Sequence, residues 1–221
     1  MSEQFPEGAL LEWFRDNQRD LPWRKERSPY EIWVAEIMLQ QTRVSTVEDY
    51  YEKFLEQFPT VEALAEATQD DVLKAWEGMG FYARARRLHS AARTVVQEHD
   101  GELPSAHDDL LELSGIGDYT AAAVEAFAFD GDRPVMDGNV KRVMVRWAGI
   151  GTPLKRSDTE GRVRSLLEDA LHRTDTPGEL SESVMELGAL VCTPENPTCG
   201  SCPLRASCTA YREGRVEKLP V

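Results

Sequence analysis

The sequence predicts an all-α protein of about ten to twelve helices. Three observations carry this. Apolar residues recur at helical spacing almost throughout, helix-start signals appear repeatedly, and no stretch alternates with period two as a surface strand does. Phe5 to Arg19 is amphipathic, with Leu10, Leu11 and Phe14 on one face. Ser28-Pro29-Tyr30-Glu31 is a capping box with proline at the first helical position, opening a helix to about Gln41. Ser45-Thr46-Val47-Glu48 reads as a second capping box, opening a helix to about Phe58. Thr60 and Thr68 read as N-caps of two short helices ending near Ala67 and Glu77. Gly78-Met79-Gly80 breaks the chain, and a long helix then runs from about Tyr82 to His99, with Gly101 as C-cap. Further helices are expected over 105–113, 118–130, 138–148, 157–172 and 179–191, with a short one near 203–213. Asp130-Gly131-Asp132-Arg133-Pro134 is the candidate domain boundary, and 174–178 is a second soft spot. The tail 213–221 reads as a linker.

A chain of 221 residues suffices for one large domain or two small ones. Folding should bury roughly 70–75% of the unfolded surface. With 41% apolar and 29% charged residues, the composition fits a globular protein and excludes a disordered tail. No apolar run approaches the roughly 18 residues of a membrane span. Met1-Ser2-Glu3-Gln4-Phe5-Pro6 has neither the charge nor the apolar stretch of a signal peptide, so a cytoplasmic location is expected.

The formal net charge is −14. Alone it argues against a nucleic-acid binder, which usually shows a basic surface. Nineteen of the 25 basic residues are Arg. Arg suits bidentate phosphate contacts, but coding bias or a salt-adapted surface explains the preference equally simply.

All four cysteines, Cys192, Cys199, Cys202 and Cys208, fall in one segment with spacing C-x6-C-x2-C-x5-C. Such a cluster points to a metal site rather than to disulfides. Thiolate ligation suits zinc or an iron–sulfur cluster, and the single C-x2-C pair favours the latter.

Leu113-Ser114-Gly115-Ile116-Gly117-Asp118-Tyr119-Thr120 lies between two helical stretches. Two glycines flanking one apolar residue make a tight hairpin, and the apolar residue can plug between the helices. The glycines leave backbone N–H groups open at a helix N-terminus, where a phosphate can be held without side-chain charge. An ordinary interhelical turn is the plain alternative.

Glu36 is the only charge in Ile32-Trp33-Val34-Ala35-Glu36-Ile37-Met38-Leu39. A carboxylic acid among Trp33 and Leu39 should have a raised pKa and could donate a proton near neutral pH. The alternative is a Glu at a helix edge that reaches water or an Arg. Asp137 precedes Gly138-Asn139-Val140-Lys141-Arg142. It is either the N-cap of that helix or an ionised carboxylate beside a developing positive charge.

Taken together, these pieces resemble the helix–hairpin–helix DNA glycosylases that carry a 4Fe–4S cluster, and within them the adenine glycosylases of the MutY type. The matching stretches are Leu21-Pro22-Trp23-Arg24, Glu36-Ile37-Met38-Leu39-Gln40-Gln41-Thr42, Gly78-Met79-Gly80-Phe81-Tyr82-Ala83-Arg84, Leu113–Thr120, Met136–Val143, and Leu187–Cys192 with the cysteine loop. They cover nearly the whole chain in the family's order.

The resemblance implies two helical lobes: residues 22–131 with the hairpin, and residues 1–21 plus 132–221 around the cluster. It implies hydrolysis of the N-glycosidic bond of adenine mispaired with 8-oxoguanine or guanine in double-stranded DNA, by a monomer without membrane contact, cytoplasmic and nucleoid-associated. Glu36 would protonate the adenine ring, and Asp137 would stabilise the oxocarbenium-like sugar. Tyr119 stands where bifunctional relatives similar to endonuclease III carry a nucleophilic Lys, so no strong lyase activity is expected. Asn139 would orient Asp137 or the water. Arg19, Trp23, Arg24, Leu39 and Glu182 match positions lining the adenine pocket, while Gln41 and Phe81 match positions that wedge into the DNA helix. Gly115, Gly117 and Thr120 would hold phosphate, and the four cysteines would ligate the cluster. Some of Arg84, Arg86, Arg87, Lys141, Arg142 and Arg146 should face phosphates. The segment between Cys192 and Cys199, where relatives often place Lys or Arg, has neither. Relatives of this type usually continue into a C-terminal domain similar to nucleotide-pyrophosphohydrolase folds, and this sequence stops where that linker would begin. The competing readings are a thymine or uracil mismatch glycosylase of the same fold, a non-catalytic DNA-binding iron–sulfur module and, for the cysteines, zinc.

Overall fold

The computed structural model describes residues 4–25 and 27–221. Met1–Glu3, which open the stretch read for a leader, lie outside the described residues, as does Glu26. Among the described residues the secondary structure is entirely helical. In chain order the helices are α1 (Glu7–Asn17), α2 (Pro29–Leu39), α3 (Val44–Gln57), α4 (Val61–Glu66), α5 (Gln69–Ala75), α6 (Ala83–Glu98), α7 (His107–Glu112), α8 (Asp118–Phe129), α9 (Gly138–Ala148), α10 (Ser157–Leu171), α11 (Pro177–Leu190) and α12 (Thr209–Arg212). Among the described residues no helix is long and apolar enough to cross a membrane.

The contact pattern separates two units. One is Asp20–Phe129; the other joins Met1–Arg19, described from Gln4 onward, to Asp130–Val221.

The 20–129 unit is built around α2. Eight of its eleven residues are buried, so it has no solvent face of any width, as expected of a central helix. Its start obeys the capping box: Ser28 Oγ accepts from Glu31 N–H, and the Glu31 carboxylate accepts from Ser28 N–H at 3.2 Å. Trp33, Phe54, Leu64, Trp76, Leu88 and Val95 form the core with α3 to α6. Thr60 and Thr68 cap α4 and α5 through their hydroxyls, at 3.2 Å each. The Ser45 box does not form. Helix α3 begins two residues earlier, with Arg43 as N-cap and no side-chain hydrogen bond, which puts Ser45 inside the first turn. At the far end of α6, Gly101 at φ 81° turns its N–H back to Val95 O at 3.1 Å.

The second unit packs α1, α9, α10, α11 and α12 around Leu10, Met144, Leu167, Leu180, Val184 and Leu187. Helix α9 is closed by Gly149 at φ 67°, with Ile150 N–H bonded to Val145 O. Arg15 grips Glu179 with two hydrogen bonds of 2.8 and 2.6 Å, joining α1 to α11. The tail is not a linker: Leu219 is buried, its carbonyl accepts from Arg146 Nε at 2.8 Å, and Val221 O accepts from Leu154 N–H. One apolar side chain and two carbonyls thus tie down a segment whose composition reads as solvated.

Candidate active site

In the 20–129 unit, Glu36 lies on the third turn of α2 and is only 6% exposed. It is the one charged residue among the buried residues of α2. Trp23 and Arg24 form a single 3-10 turn, Pro22–Arg24, whose Trp23 ring meets Tyr51 edge-on at 5.6 Å. Trp23 and Leu39 are partly buried against the same core.

The hairpin between α7 and α8 has the expected plug, with Ile116 buried and bonded through its N–H to Leu113 O. Gly115 sits at φ 89°, and a Cβ there would come within 2.8 Å of Arg87 Cβ. Gly117 faces open space. Thr120 is different. It is buried, and its hydroxyl accepts from Gln40 Nε2 at 3.0 Å, so its side chain fastens the hairpin to the end of α2. Any phosphate contact at Thr120 is left to its backbone N–H. Tyr119, half-buried, occupies the first turn of α8. His107 Nε2 lies 3.3 Å from Asp118, and its Nδ1 lies 3.4 Å from Glu125, bracing α7 against α8.

Gln41 and Phe81 are both exposed, and both have left-handed backbones, at φ 56° and 49°. Arg84, expected among the phosphate-facing cations, is buried. Its guanidinium donates to the carbonyls of Ile37, Met38, Gln40, Met79 and Gly80. Burial lowers its pKa.

In the second unit Asp137 is the N-cap of α9. Its Oδ1 accepts from Val140 N–H at 2.6 Å and its Oδ2 from Asn139 Nδ2 at 2.9 Å. Both bonds favour the carboxylate, yet burial outweighs them and holds the carboxyl above the usual aspartate range. Asn139 Oδ1 accepts from Arg142, which also donates to Gly188 O and Cys192 O. Gly188 is required here, since a Cβ would stand 2.6 Å from Asn139 Cβ.

Glu182 is buried on α11. One turn further, Glu186 is 1% exposed and takes Arg19 through the backbone N–H and both ends of the guanidinium, at 2.7 to 2.9 Å. Arg19 is thus tied to α11 beside Glu182. Sequence reading passed over Glu186, although two Glu at i, i+4 on an apolar helix were the available signal.

Cys192, Cys199, Cys202 and Cys208 are all free and line one cavity with Arg146, Val191, Arg205, Tyr211 and Val216. Its empty space, open solvent at the mouth included, is about 300 Å³. Burial raises the thiols of Cys199, Cys202 and Cys208, that of Cys202 to about 12. The four cysteines share one cavity, but among the described residues no three Cys, His, Asp or Glu side chains are placed to hold a single metal ion. Arg146 and Arg142 both bond to protein carbonyls. Arg146 is buried and donates to Cys192 O, Thr193 O, Pro194 O and Leu219 O, and Lys141 pairs with Glu160. Of the six expected cations, Arg86 and Arg87 are exposed.

Residues 34–171 match the family described as HhH-GPD superfamily base excision DNA repair protein. An adenine DNA glycosylase from Rattus norvegicus is 41% identical over 96% of this chain and 43% of its own length. Another from Buchnera aphidicola subsp. Schizaphis graminum is 37% identical over 96% of this chain and 61% of its own. The chain thus spans about half the length of these relatives. A solved thermostable thymine-DNA glycosylase superposes with a TM-score of 0.84 at 28% identity, covering 94% of this chain and 95% of that one. The hairpin, the buried carboxyl on α2 and the match over more than half its length place one conclusion beyond the fold: the chain belongs to the HhH-GPD superfamily of base excision DNA repair proteins.

Proposed function

We propose that the chain is a monofunctional glycosylase that hydrolyses the N-glycosidic bond of adenine mispaired with guanine or 8-oxoguanine in double-stranded DNA. The observation that carries the proposal is Glu36, a carboxyl enclosed on an apolar helix, in a chain 37–41% identical to adenine glycosylases. The adenine must leave the stack to be reached. Glu36 gives its proton to a ring nitrogen, which makes the base a better leaving group. The bond between C1′ and the base breaks, with its electron pair leaving on adenine. Asp137, held by Val140 and Asn139, stabilises the positive sugar. Water then adds at C1′ and loses a proton, leaving an abasic site. Tyr119 offers no amine for a Schiff base.

The remaining assignments follow the same reading. Trp23, Arg24 and Leu39 serve in adenine recognition, as do Arg19 and Glu182. Gln41 and Phe81 enter the duplex. Gly115, Gly117 and the backbone at Thr120 hold phosphate. The four cysteines fit a 4Fe–4S cluster, because all four thiols face one cavity and Arg146 Nη1 lies 3.5 Å from Cys192 Sγ, where it can offset thiolate charge. When bound, the cluster supplies cross-linking of the loop through four iron–thiolate bonds. Arg146 and Arg142 hold that loop by its carbonyls. The working form is a monomer at the nucleoid.

The test is adenine release from duplexes carrying adenine opposite guanine or 8-oxoguanine, compared with thymine opposite guanine. Faster release of thymine would overturn the adenine assignment in favour of a thymine glycosylase of the same fold.

A further inference from the structure

We propose that Arg84 is a positioning residue that presents Gln41 and Phe81 to the duplex as one preformed pair. The inference rests on the glycosylase reading for what the pair does, and on geometry for the pair itself.

Helix α2 ends at Leu39, where its last carbonyls have no partner within the helix. Arg84 supplies one from the start of α6. Its Nη1 donates to Ile37 O at 3.2 Å, to Met38 O at 2.7 Å and to Gln40 O. Its Nη2 donates to Met79 O at 3.4 Å and to Gly80 O at 3.3 Å. One planar group therefore fixes the end of α2 and the start of α6 to each other.

The next residue after each held segment is unusual. Gln41 follows Gln40 at φ 56°, and Phe81 follows Gly80 at φ 49°. Neither is glycine, and both pay the steric cost of a left-handed backbone. Such a conformation persists only where the surroundings over-determine it, and here the carbonyl immediately before each residue is bonded to the same guanidinium. Trp76 Nε1 adds a second donor to Gly80 O at 3.1 Å.

The side chains thus presented face solvent. Phe81 is 58% exposed, and the Arg84 guanidinium lies 5.3 Å from its ring centroid and 5.5 Å from that of Trp76. An exposed phenyl ring braced by a buried cation is held in place before any partner arrives. That lowers the ordering cost of inserting it between bases. Lysine could not replace this arginine, because a single ammonium cannot span both segments.

The test uses a duplex with 2-aminopurine opposite guanine, whose fluorescence rises as the base unstacks. It is saturated with wild type, Arg84→Lys or Phe81→Ala. Wild type should give a rise, and both variants should lose about fivefold or more of it, the scale of one residue released from the left-handed region. Duplex affinity should change less. An undiminished rise in Arg84→Lys, no rise in wild type, or a loss matched by equal loss of affinity overturns the proposal. Single-turnover adenine release on the same proteins separates the two readings. Unstacking without release sinks the adenine assignment and leaves the pair; release that ignores Arg84 does the reverse. Should Arg84→Lys not fold, Trp76→Phe removes one donor to Gly80 O and keeps a ring. A partial loss of the rise then supports the proposal, and none overturns it.

Discussion

Asn139 donates to Asp137 Oδ2 at 2.9 Å while its own Oδ1 accepts from Arg142 at 2.7 Å. The amide is thereby oriented from both ends, with its N–H aimed at the carboxylate. Asn139 favours the ionised form of Asp137 against the burial that raises its pKa. Asn139→Ala should raise that pKa further. If ionised Asp137 is required, the acid limb of the pH–rate profile sits above the ordinary aspartate value and moves to higher pH in the variant. An unmoved limb contradicts this role.

Stability carries the opposite sign. A carboxyl whose folded pKa is raised contributes stability that is fully present below its unfolded value. That contribution is lost as pH rises through the folded one. At neutral pH the Asp137 carboxylate therefore opposes folding. Asp137→Asn, which keeps an N-capping side chain, should lower kcat by about 10²-fold or more while leaving Tm equal or higher. Thermal melts beside single-turnover rates check both halves.

The two hairpin glycines should separate in their effects. Gly115→Ala meets both a positive φ and Arg87 Cβ, and should cost about 2 kcal/mol of stability. Gly117→Ala meets nothing, so stability should stay within about 0.5 kcal/mol. Its added methyl intrudes on the phosphate approach, and duplex affinity should fall about fivefold, the scale of one hydrogen bond. Denaturant melts and a binding titration at fixed salt measure the contrast.

Removal of Leu219–Val221 should destabilise the chain by about 2–4 kcal/mol, because it exposes Leu219 and deprives Arg146 of a carbonyl. Cys202→Ser should lower iron content and visible absorption as well as Tm. A melt and an iron assay of the purified proteins distinguish the two. Unchanged iron in Cys202→Ser would contradict the cysteine assignment.

The helical order was legible because local chemistry set it. Ser28, Thr60, Thr68 and Asp137 each cap the helix that they precede, and the residues of α2 are apolar around the whole helix. Ser45 misled because Arg43 starts α3 without a side-chain cap, leaving no local signal. The cysteines and Glu36 stood out by spacing and by isolation. The internal arginines did not. Arg84, Arg142 and Arg146 read as phosphate ligands because a sequence shows their charge and not the carbonyls that surround them. Glu186 was hidden for the same reason, since its partner Arg19 is distant in sequence. The acidic total also looks different at residue level: of the six cations expected to include phosphate contacts, Arg86 and Arg87 are exposed, and Arg87 lies beside Gly115 of the hairpin.

The most direct test of the account is single-turnover adenine release by Glu36→Gln beside wild type, on a duplex with adenine opposite guanine. Glutamine keeps the size of the side chain and removes the transferable proton. The rate should fall by about 10²–10⁴-fold, the range of general acid catalysis, with duplex affinity little changed. Release by Glu36→Gln at the wild-type rate would contradict the central role assigned to this carboxyl.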